Sequence, residues 1–168
     1  MVTGWEMGGL GHRTAAVGRA EALTHRRRRG SELRCRLPAT LLVVGDTCWS
    51  CRAPVRAIVG VLVDAALTED RSGFLALADV DRILMVVVDT RALAKLGIGA
   101  LRHRPSPGVH GGYVSNGCPQ CDALIGRFRV DDLLSEHRVA GGALADLAVD
   151  LTVDLLADDV WRGAVRVR

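Results

Sequence analysis

Lysine is nearly missing from this 168-residue chain: of its 22 basic residues only Lys95 is a lysine, and the rest are arginines. Set beside abundant Ala, Gly, Val, Asp and Leu, the bias resembles GC-rich coding, so an arginine cluster is weaker evidence of function here than in a balanced sequence. Aromatic residues are also scarce, at 4%. Any core must therefore be built from Leu, Val, Ile and Ala, and stacking platforms for single-stranded nucleic acid are lacking. No apolar run approaches the ~20 residues a membrane span needs, and the N-terminus has no apolar stretch of signal-peptide type. The expectation is a cytoplasmic protein without a membrane partner. There is no G-x-x-x-x-G-K, no G-x-S-x-G and no H-E-x-x-H, which argues against common phosphate-loop, serine-hydrolase and zinc-peptidase chemistries. Asp131, Asp132, Glu136 and His137 come nearest to an enzyme-like cluster, but nothing supplies them with a nucleophile, so no enzymatic role is expected.

A hydrophobic content of 49% with 24% charged residues describes a globular chain, and its length suits one domain with tails. The net charge of +3 is unevenly spread. Residues 1–38 carry eight Arg against three Glu, residues 141–168 carry three Arg against five Asp, and the stretch between is neutral. Residues 1–36, Gly-rich and holding the run His25-Arg26-Arg27-Arg28-Arg29, read as a disordered leader, or as an extension upstream of the true start. The arginine run would bind phosphates without sequence preference, but reads most simply as a solvated tail. Cys35 reads as an incidental free thiol.

Organised structure is expected over 37–140. The β-branched runs "ATLLVVGDT" (39–47) and "PVRAIVGVLVD" (54–64) predict two strands, and "GFLALADV" (73–80) and "RILMVVVD" (82–89) predict two more. "TRALAKLGI" (90–98) predicts a helix with a glycine stop. "ALRHR" and "GYVSN" around Pro105-Ser106-Pro107-Gly108 predict a hairpin, and "RFRVDD" a short strand running into a helix over 131–138. After Gly141-Gly142, the leucines at 144, 147, 151 and 155 predict an amphipathic C-terminal helix within 141–168.

The chemistry-bearing feature is a pair of short motifs, Cys48-Trp49-Ser50-Cys51 and Cys118-Pro119-Gln120-Cys121, separated by 66 residues. Each C-x2-C fits a tight turn whose backbone N–H groups point at sulfur. Two such turns face to face make a tetrahedral four-sulfur site, suited to Zn(2+) and also to iron. A site closed by four thiolates leaves no position for water, so its role is structural. The residue after the second cysteine of such a turn often needs a left-handed backbone, which Asp122 tolerates and Arg52 tolerates less well. Arg102, Arg104, Arg127 and Arg129, close in sequence to the second pair, would offset the thiolate charge and could face an anionic partner. Trp49 is the candidate aromatic contact, with a core role equally open. His103 and His110 could replace a cysteine ligand; with four cysteines present they read as surface residues, as does His137.

"CWSC" followed by Ala53-Pro54-Val55, then "LRHRPSPGVHGGYVSNGCPQCDALIGRF", resembles an uncharacterised group of bacterial zinc-ribbon proteins. The matching residues are Tyr113, Asn116, Cys118, Pro119, Cys121, Gly126 and Phe128. The resemblance covers about residues 40–130 and is specific around the cysteine pairs. It implies a β-rich zinc ribbon with a long insertion between its knuckles, and Cys48, Cys51, Cys118 and Cys121 as ligands. It implies no activity.

Taken together, these readings predict an α+β, β-rich zinc-ribbon-like domain with a long insertion and a C-terminal helix. Its expected function is that of a structural zinc-binding module for protein or nucleic acid. The rival readings are a rubredoxin-like iron electron carrier and a thiol–disulfide redox protein.

Overall fold

The structure, a computed structural model, describes residues 36–65 and 72–157. The predicted leader up to residue 35, with its arginine run and Cys35, lies outside the described residues, as does the tail beyond Ala157.

In chain order the elements are β1 (Arg36–Thr47), β2 (Pro54–Leu62), β3 (Phe74–Ala76), helix α1 (Leu77–Val87) and helix α2 (Thr90–Lys95). They continue with β4 (Arg102–Ser106), β5 (Val109–Gly117), β6 (Leu124–Ile125), helix α3 (Arg127–Val139), a 3-10 turn at Leu144–Leu147, and β7 (Ala148–Leu156). The strands form two antiparallel sheets, a four-stranded one in the order β3-β2-β1-β7 and a three-stranded one in the order β4-β5-β6. The fold is mixed and β-rich, as the β-branched runs led us to expect.

The continuous apolar run Leu41–Val44 is explained by a sheet covered on both faces. Alternate residues of β1 serve opposite cores. Leu37, Ala39, Leu41 and Val43 pack with Ile58, with Leu77, Val80 and Leu84 of α1, with Leu93 of α2 and with Leu155 of β7. Leu42 and Val44 pack on the other face with Val55, Ala57 and Val59, with Ile125, and with Val130 and Leu134 of α3. Cys48 and Cys118 belong to this second core. Each fully buried Leu or Ile contributes about 1.5–3 kcal/mol, so both faces hold the sheet.

Four predicted elements are corrected. Of the strand predicted over 73–80 only Phe74–Ala76 forms, and Leu77 to Val80 open α1. The segment predicted as a buried strand over 82–89 is instead helical from Arg82 to Val87, the second half of α1, with Val88 and Asp89 beyond its end. Leu77, Val80 and Leu84, spaced three and four apart, face the core, while Met85, Val86 and Val87 are exposed. A run of consecutive apolar residues cannot by itself separate helix from strand. The predicted C-terminal helix is also replaced: after the 3-10 turn, Ala148–Leu156 is a strand paired with β1 from Arg36 to Leu42. A spacing of four between leucines is one helical step, but it is also two strand periods. Val149, Val153 and Leu155 are buried while Asp150, Thr152 and Asp154 are exposed, and β1 offers a ladder of backbone partners. The sequence "RFRVDD" is likewise helical from Arg127, preceded by the two-residue β6.

The two sheets are joined through Asn116. β3 pairs with β2 only at Gly60–Leu62. Where β3 has ended, the Ile58 N–H donates to Asn116 Oδ1 at 2.8 Å and Asn116 Nδ2 donates to the Ile58 carbonyl at 2.9 Å. A buried side-chain amide thus stands in for a strand.

Candidate metal centre

Each C-x2-C sits at the tip of an antiparallel hairpin. Cys48–Cys51 forms the turn from β1 to β2, and Cys118–Cys121 the turn from β5 to β6. The two turns carry the same hydrogen bonds. Cys48 N–H donates to the Ala53 carbonyl at 2.8 Å and Arg52 N–H to the Cys48 carbonyl at 3.0 Å. In the second, Cys118 N–H donates to Ala123 and Asp122 N–H to Cys118, both at 2.9 Å. Both turns close on a left-handed residue, Arg52 at φ 62° and Asp122 at φ 56°. These are the non-glycine residues with positive φ among the described residues, and they occupy equivalent positions. The backbone asymmetry expected from their side chains is therefore absent in geometry, though its energetic cost remains with Arg52: a left-handed Arg costs about 1–2 kcal/mol.

The four Sγ atoms lie within 4.8 Å of one another. Across the two turns Cys48 Sγ is 3.7 Å from Cys121 Sγ, and Cys51 Sγ is 3.6 Å from Cys118 Sγ. A metal with four sulfurs at ~2.3 Å needs a tetrahedron with edges of about 3.8 Å, so the donor set fits such an ion in kind, number and spacing. Zinc and tetrahedral iron make the same demand. Cys48 and Cys118 are buried whereas Cys51 and Cys121 are exposed, so the cluster roots in the second core and opens to solvent on one side. Backbone donors aim at the buried sulfurs: Gln120 N–H lies 3.4 Å from Cys118 Sγ. The N–H of Cys51, aided by that of Ser50, holds the Cys48 thiol down to about 6 against the effect of burial. At Cys51 the Ala53 N–H pulls the same way, but burial and the three neighbouring sulfurs push the thiol up to about 12. Sulfurs this close to one another oppose each other's ionisation, and a cation between them would relieve that. Among the described residues it is the one grouping of His, Cys, Asp or Glu able to hold a metal. His103 and His110 are exposed and take no part in it. His137 differs from its predicted role as a solvated residue: it is half-buried against Gly142 and lies 3.0 Å from the Ala143 carbonyl.

The arginines proposed to face a partner are engaged within the chain. Arg104 is 8% exposed and sits under the second turn. It donates to the Ser115 carbonyl at 2.6 Å and the Ala100 carbonyl at 3.2 Å, and pairs with the Asp122 carboxylate. Arg102 reaches the other oxygen of Asp122 at 3.3 Å. Arg127 pairs with Asp81 at 3.3 Å and lies 5.1 Å from the centre of the Tyr113 ring, while its N–H donates to Tyr113 Oη at 3.2 Å. Arg129 grips Asp46 with two bonds, at 2.9 and 3.0 Å, and holds that carboxyl below the usual range. Trp49 is 67% exposed, yet its Nε1 donates to the Leu124 carbonyl at 2.9 Å. The first turn is thereby latched to the strand leaving the second.

Sequence reasoning did not single out Asp46 as a partner for arginine, nor Asp122 beyond its backbone tolerance. Only the register that sets Arg104 opposite Tyr113 brings its guanidinium beneath Gly117, and no local pattern signals that. Gly117 makes room for this arrangement, because a Cβ there would displace the ends of the Arg104 and Asp122 side chains.

No family model, no curated protein and no solved structure matches this chain. Among the described residues no helix is long and apolar enough to cross a membrane.

Proposed function

We propose that this chain is a zinc-ribbon-type module in which Cys48, Cys51, Cys118 and Cys121 bind one Zn(2+) for a structural purpose. The observation that carries the reading is the convergence of two like-built hairpin tips, 66 residues apart in sequence, on a sulfur tetrahedron of ligating size. A bound zinc would supply the two positive charges that let these thiols ionise together. The chain's own residues do the rest: N–H donors steady the sulfurs, and the second core fixes Cys48 and Cys118.

The module's role in this reading is to bind a protein partner. Trp49 and Phe128, 67% and 87% exposed, present apolar surface near the first turn and at the start of α3, and aromatic anchors favour protein contacts. Nucleic acid is the less favoured partner, because Arg102, Arg104, Arg127 and Arg129 are each paired with a carboxylate. Cobalt substitution tests the metal reading. Intense visible bands of a tetrahedral thiolate complex, lost in Cys48→Ser and Cys118→Ser, are expected. Red protein isolated with iron would favour electron transfer instead, and a Cys48–Cys51 disulfide without metal would favour thiol exchange.

A further inference from the structure

Arg104 is the one buried cation among the described residues, and it is built into one turn of the cluster but not the other. Its guanidinium gathers three separate segments: the Ala100 carbonyl beyond α2, the Ser115 carbonyl of β5, and the carboxylate of Asp122, the left-handed residue that closes the second turn. The chain has shaped itself around this contact. Gly117 leaves out the side chain that would block it, and Gly99 lets the Ala100 segment lie against the Gly117 backbone, where a Cβ would clash with the Gly117 carbonyl. The equivalent residue of the first turn, Arg52, is exposed and adopts the same left-handed backbone at greater cost. What steadies the first turn is Trp49, whose bond goes to Leu124, the strand leaving the second turn.

From this asymmetry we propose that Arg104 is the positioning residue of the centre. Through Asp122 it holds the Cys118–Cys121 turn in ligating shape before any metal arrives. The ion is then captured by that half first, and the Cys48–Cys51 turn closes over it second, with Trp49 as the latch. A charge-assisted hydrogen bond is stronger than a neutral one, and although the Asp122 side chain is 53% exposed the guanidinium that holds it is buried, its planar fork restraining orientation as well as distance. The inference rests on the metal-binding reading above.

The test is amide hydrogen exchange on the full chain, stripped of metal and kept reduced. The matched hydrogen bonds make an internal comparison: Cys118 and Asp122 amides against Cys48 and Arg52 amides. The metal-free protein should exchange the second pair at least tenfold more slowly than the first, and added zinc should bring the two pairs together. Asp122→Asn keeps the size and left-handed tolerance of the residue but removes its charge, so it should erase most of the difference while leaving the Ile58 amide protected. Arg104→Lys, which keeps charge but not the fork, should fall between. The rate of zinc capture by metal-free protein, followed with a chromogenic chelator, should drop several-fold in Asp122→Asn. It should not drop in Val153→Ala, which weakens the core on the α1 side, where no cysteine packs. Equal protection of the two turns in the metal-free protein would overturn the proposal. So would a difference that survives Asp122→Asn, or loss of Ile58 protection along with both turns when metal is removed. Zinc content measured on the same samples separates the two ideas: a chain that never takes metal sinks the ribbon reading, whereas a chain that takes one ion with equally protected turns sinks only the clamp.

Discussion

At the scale of single residues, the two turns are a natural experiment in left-handed backbone. Arg52 and Asp122 share one conformation at different cost, because a short polar side chain accommodates it and a long one does not. Arg52→Gly should therefore stabilise the protein, by about 0.5–1 kcal/mol once the extra freedom of glycine in the unfolded chain is deducted; urea unfolding of the metal-loaded protein measures this. Asn116 makes the opposite case. Its amide satisfies both backbone groups of Ile58, so Asn116→Ala should cost at least about 2 kcal/mol, the penalty for leaving buried polar groups unpaired. The four cysteines and the left-handed positions after them were legible in the sequence, because C-x2-C spacing constrains the chain locally. Neither Asp122 as the partner of Arg104 nor Asp46 as the partner of Arg129 was legible. Those pairs bridge 18 and 83 residues, and only strand register and helix docking bring them together. The sequence bias toward arginine hid the difference between a buried staple and a surface charge.

At the scale of elements, legibility followed the number of faces a segment buries. β1 and β2 were evident from their β-branched runs, and the β4–β5 hairpin from its Pro-Gly turn. The β7 segment was not. Its leucine spacing fits a helix and a strand alike, and pairing with the free edge of β1 decides between them. The strand makes a distinct prediction. Leu155 is fully buried and Leu147 only half-buried, so Leu155→Ala should cost about 2–5 kcal/mol and Leu147→Ala clearly less. A leucine-lined helical stripe would make the two costs similar. Helix α1 was misread for the reverse reason, since an unbroken apolar run carries no period at all. That helix covers one face of the four-stranded sheet while α3 covers the other, and the sulfur cluster lies on the α3 side.

At the scale of the whole molecule, the core on the α1 side is independent of the cysteines, whereas Cys48 and Cys118 are part of the other core. Metal removal should therefore loosen the protein without unfolding it. At an ion concentration 100–1,000 times the dissociation constant, binding to the native state alone adds about 2.7–4.1 kcal/mol. In a domain of this size, chelation should lower the melting temperature on the order of 10 °C, with the transition remaining cooperative. The melting temperature of Cys121→Ser should be low already and insensitive to chelator.

The most direct test of the central claim is metal content together with a thiol count, on protein purified without added metal. One zinc per chain is predicted, with four of the five cysteines unreactive until a chelator is added. Protein free of metal, with all its thiols open to reagent or two of them joined in a disulfide, would contradict it.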